Sequence, residues 1–295
     1  MRMQKMKHMR MKDVWEAGMS FVFMLCAMMS IVAVGLICLF LFVNGLPAIA
    51  KIGPLQFLLG VKWTPADTPP LYGIFPMILG SVYITAGAIL IGVPIGIFTA
   101  VFMAKYCPKR LYRVLKPSND LLAGIPSIVY GFFGMASIVP LVRSLFGGNG
   151  SSILAASVLL GIMILPTIIG ISESAIRAVP ESYYEGARAL GATHTRAVYF
   201  AVLPAAKSGL FASVVLGVGR AIGETMAVIM VAGNQARMPV SLFKGVRTLT
   251  ANIVLEMGYA AELHRAALIA TGVVLFVFIL LINLSFSLLR RRSVL

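Results

Sequence analysis

Long apolar stretches alternate with shorter polar segments along the 295-residue chain. Six of these stretches are long enough to cross a hydrocarbon core of ~30 Å, at a helical rise of about 1.5 Å per residue. Their bounds are 18–45, 75–104, 121–142, 152–172, 208–232 and 266–289. The pattern therefore predicts an all-α integral membrane protein with six transmembrane helices.

The composition supports a membrane protein without a soluble domain. Hydrophobic residues make up 59% of the chain and charged residues only 12%, against roughly 25% charged in soluble domains. The net charge of +15 comes from basic residues spread between apolar stretches, which indicates membrane topology and not nucleic-acid binding. Neither the three cysteines nor the three histidines have the spacing of metal ligands.

Lysine and arginine predict the orientation of the helices, because they are concentrated in cytoplasmic segments. With the N-terminus inside, the cytoplasmic segments contain 17 basic residues and the external segments contain 7. We therefore expect a basic cytoplasmic N-terminus over 1–17, a first transmembrane helix over 18–45, and both termini in the cytoplasm.

The segment AGIPSIVYGFFG, residues 123–134, predicts an interrupted helix. Pro126 and three glycines weaken a helix there, and membranes tolerate freed backbone groups only where these face protein or a cavity. Ser127 and Tyr130 are therefore candidates to line a transport pathway. Close packing through small residues is the alternative explanation.

A cytoplasmic loop over 173–206 is predicted to form two short helices. Pro180 favours a helix start, Gly191 a helix stop, and Thr193 the cap of a second helix leading to Pro204. The loop resembles the coupling segment of ABC importer permeases, with pattern E-A-A, three residues, Gly, nine residues, Ile, any residue, Leu-Pro. The matching residues are Glu185, Ala187, Gly191, Leu203 and Pro204, whereas Gly186 and Ala201 depart from the pattern. A generic amphipathic loop is the alternative.

Four further segments narrow this resemblance: 71–85, 121–134, 164–180 and 219–234. Across about 70–290 the chain is similar to permease subunits of the prokaryotic phosphate-specific ABC importer, the C-type more than the A-type. The resemblance implies a type I permease core in the inner membrane. It also implies a second related permease, two ATP-binding subunits and an extracytoplasmic phosphate-binding protein as partners. ATP and magnesium would be bound by the ATP-binding subunits, with no cofactor in this chain.

The chain contains no G-x-x-x-x-G-K-[ST] phosphate loop. We therefore expect that it is not itself an enzyme, and that another subunit or an ion gradient supplies the energy.

Arg220 and Glu224 stand inside the fifth predicted span, where charged side chains are costly and usually functional. At positions i and i+4 they would share one helical face, beside a packing face formed by Gly219 and Gly223. Arg220 offers a planar fork suited to phosphate oxygens, and Glu224 would hold it until the anion arrives. A structural ion pair that locks two helices together is the alternative.

Three other functions remain open from the residues alone. These are a permease for another oxyanion such as phosphonate or molybdate, a gradient-driven anion transporter that uses Glu224 as a proton carrier, and an intramembrane enzyme acting on lipid phosphates.

Overall fold

The computed structural model describes the backbone of residues 2–294 and the side chains of 15–16, 18–285 and 288. The α-helices are α1 Arg2–Ile52, α2 Pro54–Leu59, α3 Phe75–Val101, α4 Lys109–Gly124, α5 Ser127–Phe133, α6 Val139–Phe146, α7 Ile153–Arg177, α8 Glu181–Ala189, α9 His194–Ala197, α10 Leu203–Ala205, α11 Lys207–Gly223, α12 Met226–Val231, α13 Leu249–Glu256 and α14 Glu262–Val294. π-Helical turns Phe102–Tyr106, Gly134–Ile138 and Val198–Val202 continue α3, α5 and α9. An antiparallel pair joins β1 (Trp63–Thr64) and β2 (Leu71–Tyr72).

The prediction of an all-α membrane fold is confirmed. Within the described residues, five helices are long and apolar enough to cross a membrane, at Gly18–Ile52, Phe75–Tyr106, Ser127–Phe146, Ile153–Arg177 and Glu262–Ser285. A sixth span results if His194–Ala205 and Lys207–Gly223, which meet at a bend of 69°, are counted together. The basic side chains expected to mark the two termini, Arg2, Lys5, Lys7, Arg10, Lys12, Arg290, Arg291 and Arg292, lie outside the described ones.

Two predicted spans differ in the structure. The third begins at Ser127 and not at 121, because α4 is a separate helix that ends at Gly124. Ile125 is extended, with ψ 127°, as expected for a residue before proline. The fifth span is not one helix over 208–232, because α11 ends at Gly223 and α12 begins only at Met226.

Helices α3 and α7 form the tightest pair at the centre of the fold. A Cβ atom on Gly92 would stand 2.7 Å from Ile164 Cγ1, and one on Gly96 would stand 2.7 Å from Ile168 Cγ2. Ile164 and Ile168 are fully buried in the main hydrophobic cluster. Because the glycines have no side chain, the two helices approach closely enough to exclude lipid between them.

The first helix is attached mainly through its C-terminal part. Gly45 faces the backbone of Ala270 on α14, and Phe42 packs edge-on against Phe276 at 6.0 Å. From residue 18 to this contact, most apolar side chains of α1 are exposed, as expected for a surface that faces lipid.

We expect Gly96→Val to destabilise the protein by about 1–3 kcal/mol, because the added methyl groups overpack the α3–α7 contact. Gly35→Val is the matched control, since a Cβ atom on Gly35 in α1 meets nothing within 4 Å. Thermal unfolding of the detergent-solubilised variants measures the difference. Equal unfolding midpoints for the two variants would contradict the assigned helix contact.

Candidate anion pathway and coupling surface

The fifth predicted span is interrupted at Glu224 and Thr225. Glu224 ends α11 in an extended conformation, with φ −70° and ψ 133°. Its Oε1 accepts hydrogen bonds from the backbone amides of Thr225 and Ala227, at 3.1 and 3.2 Å. The side chain therefore caps the first turn of α12, where backbone amides have no partner within the helix.

The break corrects the predicted relation between Arg220 and Glu224. They do not share a helical face, because the helix stops before Glu224. Among the described residues, no ion pair includes either of them. The Arg220–Glu224 ion pair expected from the i, i+4 spacing is therefore absent from this structure.

Arg220 contacts α7 instead. Its Nη1 donates a hydrogen bond to Thr167 Oγ1 at 3.3 Å, and the residue is half-buried. A neutral hydroxyl does not compensate the guanidinium charge, and the guanidinium has further N–H donors. Thr167 was not identified from the sequence, because a threonine in an apolar helix gives no distinctive signal.

Tyr130 lies at the other predicted interruption. The hydroxyl of Tyr130 donates a hydrogen bond to the Leu122 carbonyl at 2.9 Å, across the break between α4 and α5. Arg220 is close enough to Tyr130 for an electrostatic interaction. Ser127, the first residue of α5, is half-buried and makes no side-chain hydrogen bond with the described part of the chain. The structure thus brings Tyr130 near Arg220.

The two interrupted segments also pack against each other. A Cβ atom on Gly131 in α5 would stand 3.0 Å from the Cα of Ala227 in α12. Thr250 Oγ1 donates to the backbone carbonyl of Glu224 at 3.1 Å and connects the break to α13. The close contact predicted through Gly219 and Gly223 is not found, since a Cβ atom placed on either glycine would meet nothing within 4 Å in the described structure.

The cytoplasmic loop has the two predicted helices. Helix α8 starts after Pro180, and the chain turns at Gly191 with a φ of 83°, a conformation that favours glycine. Thr193 Oγ1 accepts a hydrogen bond from the Arg196 amide at 3.3 Å and caps α9. Pro204 lies within the first turn of α10.

Most positions of the coupling pattern in this loop lie on an exposed surface. Glu185 and Gly186 on α8 are exposed and Ala187 is half-buried. No neighbour lies within 4 Å of a Cβ atom placed on Gly186, so alanine, the residue of the coupling pattern, would fit. Leu203 packs beside a buried cluster, whereas Pro204 is exposed.

Polar contacts attach this surface to the end of α3. Tyr184 Oη lies 2.8 Å from His194 Nδ1 and joins α8 to α9. His194 also packs edge-on against Tyr106, with ring centroids 4.8 Å apart. Lys105 forms an ion pair with Glu181 at 3.3 Å. These contacts connect α8 and α9 to the π-helical turn that continues α3.

A buried carboxylate attaches α4 to α7. The side chain of Glu173 is only 2% exposed and accepts hydrogen bonds from Tyr112 at 2.6 Å and Arg177 at 2.7 Å. Lys116 lies 3.3 Å from its second oxygen. The hydrogen bond to Glu173 raises the pKa of the Tyr112 hydroxyl above its ordinary value.

A second buried carboxylate connects the segments on the predicted external side. Glu256 accepts hydrogen bonds from Trp63 Nε1 at 2.8 Å and from Arg247 Nη1, and its Oε2 lies 2.9 Å from His264 Nε2. It thereby joins β1, the loop before α13, and α14. Sequence reasoning missed this cluster, although a single glutamate in the apolar segment 251–261 was a signal.

Comparison with known proteins identifies the family. Residues 92–294 match the family of binding-protein-dependent transport system inner membrane components. A probable ABC transporter permease, YqgH of Bacillus subtilis, is 42% identical over 88% of this chain and 86% of its own length. The phosphate transport system permease PstC of Mesorhizobium japonicum is 35% identical over 87% of this chain and 84% of its own length. A probable PstC of Methanocaldococcus jannaschii is 37% identical over 83% of this chain and 84% of its own length.

Solved structures support the same fold. An inward-facing MetNI methionine ABC transporter chain aligns with a TM-score of 0.59 at 21% identity, covering 75% of this chain and 97% of that chain. An amino acid ABC transporter aligns with a TM-score of 0.54 at 22% identity, covering 73% of this chain and 92% of that chain. The family match and the sequence relatives together establish that this chain belongs to the binding-protein-dependent transport system inner membrane components, the permease subunits of ABC transporters.

Proposed function

We propose that this chain forms half of the membrane pathway of an ATP-driven importer of inorganic phosphate. The observation that carries the proposal is its similarity to several relatives named phosphate transport permease PstC, at 32–37% identity over most of the chain. The C-type assignment follows from the same relatives.

The proposed assembly contains a second related permease, two ATP-binding subunits and an extracytoplasmic phosphate-binding protein. ATP and magnesium bind to the ATP-binding subunits. The exposed loop around Glu185 and Gly186 is the proposed contact with one of them. Its attachment to α3 through Lys105 and His194 supports a role in transmitting ATP-driven movements to the membrane helices.

Arg220 is the proposed phosphate contact in the pathway. Its guanidinium has no carboxylate partner within the described structure and can donate two parallel hydrogen bonds to an oxyanion. Tyr130 and Ser127 are proposed to line the same route. Glu224 shapes the route by ending α11, and it does not act here as the counter-ion of Arg220.

Two alternatives differ from this proposal in ways that transport assays can measure. A permease for molybdate or phosphonate would have the same fold. In a gradient-driven transporter, Glu224 would carry a proton while its Oε1 accepts hydrogen bonds from the amides of Thr225 and Ala227. The two capping hydrogen bonds favour a structural task for this carboxylate.

The proposal is tested by uptake of radiolabelled phosphate in cells that co-express this chain with its genomic partner subunits. We expect uptake to require ATP, to persist when the proton gradient is dissipated, and to resist excess molybdate and phosphonate. Loss of uptake on dissipation of the gradient, with ATP maintained, would support the gradient-driven alternative. Stronger competition by another oxyanion would reassign the substrate.

We expect Arg220→Gln to lower phosphate uptake by about 10- to 100-fold, since a hydrogen bond to a charged group contributes about 1.5–3 kcal/mol. Arg220→Lys keeps the charge without the planar fork and should restore uptake only in part. Arg143→Gln, an exposed position in α6, serves as the control. Uptake is normalised to the assembled complex, and wild-type uptake by Arg220→Gln would exclude Arg220 from the pathway.

We expect Gly191→Val to uncouple ATP hydrolysis from uptake, because a β-branched residue is strained at a φ of 83°. Gly191→Asn should retain more coupling, since asparagine tolerates this conformation. The ratio of phosphate transported to ATP hydrolysed measures the effect. Equal ratios for both variants and the wild type would show that Gly191 has no role in coupling.

A further inference from the structure

A basic cavity lies at the predicted cytoplasmic end of α3, beside the start of α4. It has a volume of about 410 Å³, within the usual range for small-molecule sites. Its lining includes four basic side chains: Lys105, Lys109, Arg113 and Arg177. No acidic residue lines it within the described structure.

Two of the four cations already have carboxylate partners. Lys105 is paired with Glu181 on α8. Arg177 is paired with Glu173, and its Nη2 also donates to the Met103 carbonyl at 2.9 Å. These two residues are held in place, so one wall of the cavity is fixed before any ligand arrives.

The other two cations are not compensated. Lys109 and Arg113 are exposed, and neither forms an ion pair with a described residue. They are four residues apart on α4, where like charges repel each other. The first turn of α4 contains no acidic residue and its N-terminus has no side-chain cap. An anion in the cavity would reduce the repulsion between these two side chains. It would also compensate the partial positive charge at the N-terminus of α4.

The surroundings of the cavity favour a lipid over a free ion. Phe98 and Phe102, one helical turn apart on the α3 segment next to the cavity, are 64% and 39% exposed. Leu111 on α4 is also exposed. Acyl chains can lie along these apolar side chains while a headgroup occupies the cavity, and basic pockets between helices on the cytoplasmic side suit anionic headgroups.

We propose that this cavity binds the phosphate group of an anionic phospholipid from the cytoplasmic leaflet. Lys109 and Arg113 supply the uncompensated charge, and Arg177 also lines the cavity. Because Lys105 connects this site to Glu181 at the start of α8, bound lipid would stabilise the base of the coupling surface. The inference does not depend on which substrate is transported.

Native mass spectrometry of the detergent-purified full chain, with the subunits that co-purify, tests the proposal. We expect phosphatidylglycerol to be retained and phosphatidylcholine to be lost. Lys109→Gln and Arg113→Gln should each weaken retention about fivefold, the expected contribution of one basic residue near anionic lipid. Arg110→Gln is the matched control, because Arg110 belongs to the same helix but does not line the cavity.

Three results would overturn the proposal. The first is equal retention of the two lipids, and the second is an equal loss of phosphatidylglycerol in Arg110→Gln and Arg113→Gln. The third is displacement of phosphatidylglycerol by millimolar inorganic phosphate, which would make the cavity a site for the free anion. Thermal unfolding without added lipid measures whether the variants are as stable as the wild type. Because Lys109 and Arg113 are exposed, we expect wild-type unfolding midpoints.

Discussion

A helix that stops inside a membrane exposes backbone amides and carbonyls that water cannot satisfy. Each such group costs several kcal/mol in hydrocarbon unless protein atoms satisfy it. In this protein the carboxylate of Glu224 accepts hydrogen bonds from the Thr225 and Ala227 amides, and the Thr250 hydroxyl donates a hydrogen bond to the Glu224 carbonyl. These hydrogen bonds make the interruption of the fifth span tolerable, and the arrangement of the candidate pathway depends on it.

The same interruption leaves Arg220 without a carboxylate partner in the described structure. Because Glu224 is engaged by α12, Arg220 keeps an uncompensated charge beside Thr167 and near Tyr130. A second interruption, before Ser127, packs against the first through α5 and α12. Helix α7, which packs against α3, contacts both α5 and α12. The candidate anion pathway thus lies where two broken helices meet, and the cytoplasmic loop is connected to the same helices through α3.

The sequence predicts those features whose causes are local. Pro126 restricts the residue before it, and Pro180, Gly191 and Thr193 determine the loop helices through their own backbone preferences. The break at Glu224 was missed because GETM contains no proline and glutamate is a good helix former. The cap itself is local, but the freed carbonyl of Glu224 is satisfied by Thr250, which is 26 residues away in sequence. The Glu256 cluster was missed for the same reason, since its partner Trp63 is 193 residues away in sequence.

In the proposed pathway, Arg220 acts without Glu224 as its counter-ion. The most direct test is a double-mutant cycle with Arg220→Gln and Glu224→Gln, measured as phosphate uptake per assembled complex. We expect the double variant to transport no better than Arg220→Gln alone, because removing the carboxylate does not replace the lost guanidinium and weakens the cap of α12. Recovery of wild-type uptake in the double variant would show that the two residues form only a structural ion pair, and would contradict the proposed pathway.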